Sequence, residues 1–177
     1  MSDPFDTLGI PPKFDIDVRA VEARHRELSR ALHPDRYASA PAAERRMALS
    51  RAIEVNEAWR AVKNPIKRAE ALLLRLGVSS GETAEPNPST DLLMEMMEAR
   101  EELSEAARAN DMAAVENLGK KMSFREREAL AALGVAFDQV GASTEAARKL
   151  VHFLGELRYL RRFLDEVSAI TEHAMEQ

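Results

Sequence analysis

The sequence predicts an all-α protein built from two helical parts. Alanine, leucine, glutamate and arginine dominate its 177 residues, and the β-branched runs that indicate strands are missing. Glycine and proline cluster at a few places where helices must end. With 45% hydrophobic residues the chain can bury a core without help from a cofactor. The absence of cysteine excludes disulfides, thiolate metal sites and thiol catalysis.

The first 76 residues are predicted to contain four helices, of which the first two differ in length. A short helix around Pro4–Leu8 ends at Gly9, because the prolines that follow cannot continue it. Either Asp15 or Asp17 can then cap a second helix that runs to about Leu32.

A loop containing proline separates the second helix from a long third helix. The loop covers residues 33–40, and Pro41 suits the first turn of a helix that ends near Lys63. Pro65 opens a fourth helix, which stops at Gly77.

A change in composition marks the boundary between the two parts. Residues 77–90 are rich in Ser, Pro and Gly and lack apolar periodicity, which is typical of a linker. Residues 91–177 are predicted to form a three-helix bundle, with a loop from Phe137 to Ser143. Its helices are about Asp91–Arg108, Asp111–Phe137 and Thr144–His173, capped by Thr90, Asn110 and Ser143.

The net charge of −5 is unevenly distributed. Residues 1–76 carry 14 Lys and Arg against 11 Asp and Glu, whereas residues 77–177 carry 11 against 19, so different partners are expected for the two parts. The sequence has no basic run with interleaved aromatic residues, so nucleic-acid binding is not expected. No apolar stretch approaches the roughly twenty residues that a membrane-spanning helix needs. The N-terminal sequence does not have the basic start and apolar run of a secretion signal. We therefore expect a soluble, cytoplasmic protein.

The second helix is predicted to carry two faces and to lead into a distinctive loop. Arg19, Arg26 and Arg30, the basic stripe, fall within about 40° of one another. The stripe runs toward the tripeptide His33-Pro34-Asp35, where proline restricts the loop that presents the carboxylate. A stripe of arginines is usually just a solvent-exposed helix face, and the tripeptide alone could be a turn that occurs by chance. Because the two features are adjacent, together they favour docking of an acidic partner surface. The apolar face consists of Val18, Val21, His25, Leu28 and Leu32.

Three segments together resemble the J-domain family: residues 29–37 (SRALHPDRY), 53–59 (IEVNEAW) and 64–70 (NPIKRAE). The resemblance implies a four-helix J-domain over residues 1–76, whose second and third helices form an antiparallel hairpin. It also implies a co-chaperone that stimulates ATP hydrolysis by a heat-shock chaperone of the HscA/DnaK class and is not itself an enzyme. The implied chaperone-binding residues are His33, Pro34, Asp35, Arg19, Arg26, Arg30 and Arg36.

Two further segments resemble the HscB branch of this family, which serves iron–sulfur cluster assembly. They are residues 59–74 (WRAVKNPIKRAEALLL) and 92–103 (LLMEMMEAREEL). The resemblance implies that the C-terminal bundle binds an iron–sulfur scaffold protein of the IscU type. The family also uses an aromatic residue on its last helix, for which Tyr159 is the better local match and Phe153 and Phe163 compete. The implied scaffold-binding residues are Leu93, Met94, Met97, Glu98, Glu101, Glu105 and Tyr159.

The helix over residues 91–108 has more apolar positions than one core face requires. Leu93 and Met97 could widen the core, but Met94 fits that interpretation poorly. An exposed Leu/Met patch rimmed by glutamates would suit protein docking, because methionine adapts to a partner and carboxylates set the register. The core face consists of Leu92, Met96, Ala99, Leu103 and Ala106.

Other polar and aromatic residues are predicted to be structural. His25 is expected to pack in the core, His152 and His173 lack ligand spacing for a metal, and Trp59 is assigned to packing. No metal site and no cofactor are expected. Two alternatives remain open: a general J-domain co-chaperone that delivers unfolded clients, and a helical enzyme or metal protein.

Overall fold

Helices provide all the regular structure of the described chain. The computed structural model describes residues 2–80 and 89–176, and every regular element within these ranges is helical. The all-α prediction is therefore confirmed. The chain divides into two compact units, one ending at Val78 and the other beginning at Ser79.

The first unit contains four α-helices and a 3₁₀ turn. Asp17, rather than Asp15, caps the second helix, since its carboxylate accepts hydrogen bonds from the backbone N–H groups of Arg19 and Ala20. Gly77 lies beyond the fourth helix with a left-handed φ of 76°, as a helix-ending glycine does. The elements are α1 (Pro4–Leu8), α2 (Val18–Ala31), the 3₁₀ turn (Pro34–Tyr37), α3 (Ala42–Lys63) and α4 (Pro65–Arg75).

The core of the first unit forms where α1, α2 and α4 meet α3. Phe5 and Leu8 of α1, Val62 of α3 and Leu73 of α4 are fully buried. α2 contributes Val21 to this core, whereas Val18, expected on the same apolar face, is exposed at the first position of the helix. Burial of these side chains, more than helix propensity, stabilises helices as short as α1.

The second unit is a bundle of three long helices with one additional short helix. Its core joins the predicted α5 face with Val115, Met122, Leu160 and Phe163 from the other two long helices. Gly119 lets α6 approach α8 closely, because a Cβ atom there would lie 3.0 Å from a methyl carbon of Val167. The elements are α5 (Thr90–Arg108), α6 (Met112–Val140), α7 (Thr144–Arg148) and α8 (Val151–Met175).

Three helix ends in α5 and α6 differ from the sequence-based expectation. The caps of α5 and α6 are Ser89 and Asp111, not Thr90 and Asn110, because their side chains accept backbone N–H hydrogen bonds from Leu92 and Ala114. α6 continues past Phe137 to Val140, so that the following loop is shorter than expected.

The single last helix predicted over Thr144–His173 is wrong, because the chain forms two helices there. The N–H groups of Lys149 and Leu150 bond to carbonyls three residues earlier, which tightens the backbone and ends α7. Ala147, Leu150 and Val151 are all buried around this junction, and the predicted cap Ser143 does begin α7. Packing of the junction into the core therefore interrupts a segment whose sequence is helical throughout.

Candidate protein-docking sites

The His-Pro-Asp tripeptide forms the start of the 3₁₀ turn between α2 and α3. His33 precedes the turn in an extended conformation, and its Nδ1 accepts a hydrogen bond of 3.3 Å from the Asp35 N–H. The Asp35 side chain is 90% exposed, with Oδ2 3.5 Å from the same His33 nitrogen. Pro34 restricts the backbone between them. The turn thus presents an imidazole and a carboxylate together at the surface.

The basic stripe on α2 is exposed along its length. Arg19, Arg26 and Arg30 all face solvent, as does Arg36 in the 3₁₀ turn. Arg26 makes only a long 3.9 Å ion pair with Glu22, a contact that is weak at an exposed site. The guanidinium groups are therefore available to a partner.

The contact between α2 and α3 holds this surface in place. His25 Nε2 lies 2.9 Å from Asn56 Oδ1, and the His25 ring stacks on Trp59 with centroids 5.5 Å apart. His25 is partly buried at this contact and is not the fully packed core residue that was expected. Trp59, also partly buried, has the packing role that was predicted for it.

The α5 face predicted to be core is buried, and the adjacent methionine patch is not. We define the methionine patch as Leu93, Met94 and Met97, which are 36%, 56% and 71% exposed. Met94 and Met97 are too exposed to belong to the core, whereas the Leu93 side chain is still largely covered. All three glutamates of the predicted rim, Glu98, Glu101 and Glu105, are exposed as well.

Ion pairs between the helices set the level of α8 against α5. Arg125 of α6 bonds both Glu95 of α5 and, at 2.9 Å, Glu156 of α8. Arg100 of α5 pairs with Glu166 of α8 at 2.7 Å. The hydrogen bond to Glu95 is the largest cause that raises the pKa of the Arg125 guanidinium; burial opposes it in part and the bond to Glu156 adds to it.

These pairs distinguish between the aromatic residues of α8. The contacts of Glu95 and Glu156 with Arg125 on one side, and the Arg100–Glu166 pair on the other, bracket Met97 on α5 and Tyr159 on α8, so these two residues lie within about one helical turn of the same level. Tyr159 is partly buried against the bundle core, and the Arg162 guanidinium stacks over its ring at 4.8 Å. Phe163 is fully buried and so cannot contact a partner. The partly buried Phe153 ring lies tilted against the ring of its neighbour His152, with centroids 4.2 Å apart.

Sequence reasoning missed two features of these surfaces. Arg162 was not singled out, although its i, i+3 spacing from Tyr159 predicts a contact on one helix face. The linking role of Arg125 depends on two partners that are distant in sequence, and no local signal indicates it.

Across residues 2–80 and 89–176, no group of three His, Cys, Asp or Glu side chains is arranged to hold a metal ion. Within that part of the chain, no helix combines the length and apolar character needed to cross a bilayer.

An exposed His-Pro-Asp turn between two paired helices, beside a basic stripe, defines the first unit as a J-domain. Over 170 residues the chain is 35% identical to the "Co-chaperone protein HscB homolog" of Burkholderia multivorans, covering 95% of this chain and 93% of that protein. The chain belongs to the HscB family of co-chaperones.

Further comparisons agree with this assignment. The homologue from an Azoarcus species is 36% identical, with 89% of this chain and 90% of that protein covered. Residues 88–168 match the family model described as the HSCB C-terminal oligomerisation domain. The structure of the chaperone HscB from Vibrio cholerae superposes with a TM-score of 0.84 at 27% identity, covering 97% of this chain and 99% of that one. The structure of the human co-chaperone HscB superposes with the same TM-score at 22% identity, and the match covers 96% of this chain and 82% of the human chain. This likeness supports the fold.

Proposed function

We propose that this co-chaperone stimulates ATP hydrolysis by a chaperone of the HscA/DnaK class and delivers an iron–sulfur scaffold of the IscU type to it. The first unit would bind the chaperone and the second unit the scaffold, a division that matches their opposite charge balances. The observation that carries the proposal is the exposed Asp35 carboxylate beside the basic stripe. Catalysis belongs to the chaperone, and this chain acts by binding.

The chaperone-binding surface combines two kinds of interaction. The arginines Arg19, Arg26, Arg30 and Arg36 attract an acidic surface and accelerate encounter. The carboxylate of Asp35 and the imidazole of His33 then supply directional hydrogen bonds, held by a turn that loses little freedom on binding. His33 therefore both organises the turn and forms part of its surface.

The first experiment measures steady-state ATP hydrolysis by the chaperone as this protein is added. Asp35→Asn is expected to abolish stimulation, because the amide cannot replace the carboxylate charge. His33→Gln is expected to do the same, because it removes the imidazole that accepts the hydrogen bond from the Asp35 N–H and forms part of the surface. Glu54→Gln is the matched control, since it neutralises an exposed carboxylate on α3. Stimulation by Asp35→Asn equal to that of the control would refute the proposed activity.

The scaffold-binding surface is the methionine patch with its glutamate rim, together with Tyr159. Exposed methionine and leucine side chains lose unfavourable contact with water on binding, while Glu98, Glu101 and Glu105 select the register of a partner with basic groups. Tyr159 lies near the level of Met97, where its aromatic ring can extend the patch.

The second experiment measures scaffold affinity by calorimetric titration. Changing Leu93, Met94 and Met97 to alanine is expected to weaken binding by about a hundredfold, since three exposed apolar anchors are truncated. Met175→Ala removes an exposed methionine elsewhere and should leave the affinity unchanged. Binding of denatured proteins in general, with no preference for the folded scaffold, would favour a general J-domain co-chaperone instead.

A further inference from the structure

Two apolar side chains on one face of α3 are at least half exposed. Leu49 and Ile53, the apolar pair, are 55% and 50% exposed and lie four residues apart on one helix face. The core of the first unit uses other α3 positions, among them Val55 and Val62. The pair therefore needs a separate explanation, which depends on where this face points.

Contacts of α2 with α3 and with α1 show which sides of the α2 helix face these two neighbours. His25 points at α3, through Asn56 and Trp59. Arg24, about 100° away in one rotational sense, donates to the backbone carbonyl of Leu8, so α1 lies on that side. Arg26 is rotated about 100° in the other sense, and Arg19 and Arg30 lie close to it. The basic stripe thus occupies the side of the α2–α3 pair opposite α1.

The same construction on α3 locates the apolar pair. Asn56 and Trp59 point at α2, and the buried Val55 and Val62 are rotated away from them toward α1. Leu49 and Ile53 are rotated in the other sense, by about 70° on average. Because the two helices run antiparallel, the same rotational sense leads to the same side of the pair. The apolar pair and the basic stripe therefore share one surface.

The level of the pair along the hairpin follows from the same contacts. With His25 beside Asn56 and Trp59, each residue further along α2 lies beside one residue earlier in α3. Ile53 is then level with Ser29 and Arg30, and Leu49 with His33. The apolar pair therefore lies alongside the end of the basic stripe and the start of the His-Pro-Asp turn.

We propose that the apolar pair is the apolar part of the chaperone-docking surface. This inference rests on the proposed function, because the occupant is the same chaperone. Its docking surface would present an apolar strip bordered by carboxylates, complementary to Leu49 and Ile53 flanked by arginines. Two arguments select this occupant over others: continuity with the exposed turn and the positive charge around the pair. The arginines govern association, and the apolar contact slows dissociation.

The test compares two variants in the full-length protein with ATP and the chaperone. The double variant Leu49→Ser with Ile53→Ser is expected to raise the concentration for half-maximal ATPase stimulation about tenfold, with the maximal rate unchanged. Met47→Ser is the matched control, because Met47 is 60% exposed on a different face of α3. Circular dichroism melting checks that both variants fold like the parent.

Salt dependence provides a second readout. An apolar contact is insensitive to ionic strength, so the defect of the double variant should persist between about 0.05 and 0.5 M salt, whereas the defect of Arg26→Ala should shrink as salt screens its charge. A double variant with the same half-maximal concentration as Met47→Ser, while Asp35→Asn is inactive, would overturn the inference and leave the proposed function standing.

Two other outcomes have distinct meanings. If Asp35→Asn stimulates normally, the proposed function fails and the inference fails with it. If the double variant stimulates normally but converts a dimer to a monomer in sedimentation, the pair binds a second copy of the chain, and the inference is again overturned.

Discussion

At the scale of single residues, Arg68 connects three parts of the first unit. This buried side chain donates from Nη1 to the Val62 carbonyl at 2.7 Å and stacks over the Phe14 ring at 5.0 Å. Burial lowers the pKa of Arg68, and the nearby Asp15 carboxylate partly offsets this. The guanidinium stays charged at neutral pH and ties α4 to the end of α3.

Arg68→Met is expected to lower the free energy of unfolding of the first unit by about 2 kcal/mol, because it leaves a buried carbonyl without a partner and removes the contact with Phe14. Urea denaturation followed by the fluorescence of Trp59, the only tryptophan, measures this unit selectively. Arg60→Met, at an exposed α3 position, is the control and should unfold like the parent. Equal midpoints for the two variants would contradict the role of Arg68.

At the scale of elements, α5 has one face that stabilises the bundle and one that remains available. Leu92, Met96 and Ala99 pack against α6 and α8, whereas the methionine patch on the next face is exposed. Ion pairs to Glu95 and Arg100 keep the helix in register with its neighbours. The exposed face can therefore be substituted with little effect on folding.

Substitution of Gly119, where α6 and α8 approach closely, is expected to destabilise the fold, unlike substitution on the exposed face of α5. Gly119→Leu is expected to destabilise the second unit by about 3 kcal/mol, since there is no space for a side chain against Val167. Thermal unfolding followed by circular dichroism measures the change. Ala113→Leu adds the same side chain at an exposed α6 position, and a comparable loss of stability there would contradict this explanation.

At the scale of the whole molecule, the proposed activity depends on two binding units in one chain. Linking them turns scaffold delivery into an intramolecular event, with an effective concentration set by the connecting residues. Neither unit alone can provide this effect, even when it keeps its own affinity.

A protease site inserted within residues 81–88 tests this dependence. After cleavage, stimulation of the chaperone in the absence of scaffold is expected to be unchanged, whereas any additional stimulation by scaffold should be lost. The uncleaved protein with the same insertion is the control, and ATPase rates with and without scaffold are the measurement. Additional stimulation that survives cleavage would show that covalent connection is unnecessary.

The helical class, most helix ends and the candidate docking surfaces could be predicted from the sequence. Periodicity, capping aspartates and helix-ending glycines are local signals. The His-Pro-Asp turn and the methionine patch also lie within short stretches of sequence, so residue spacing and family resemblance suffice to predict them. Contacts between residues distant in sequence set the remaining features: the break between α7 and α8, the exposure of Met97, and the level of Tyr159. They also bring Leu49 and Ile53 beside the basic stripe. The physical reason is that burial and register between helices arise from packing, which residue spacing along one helix does not contain.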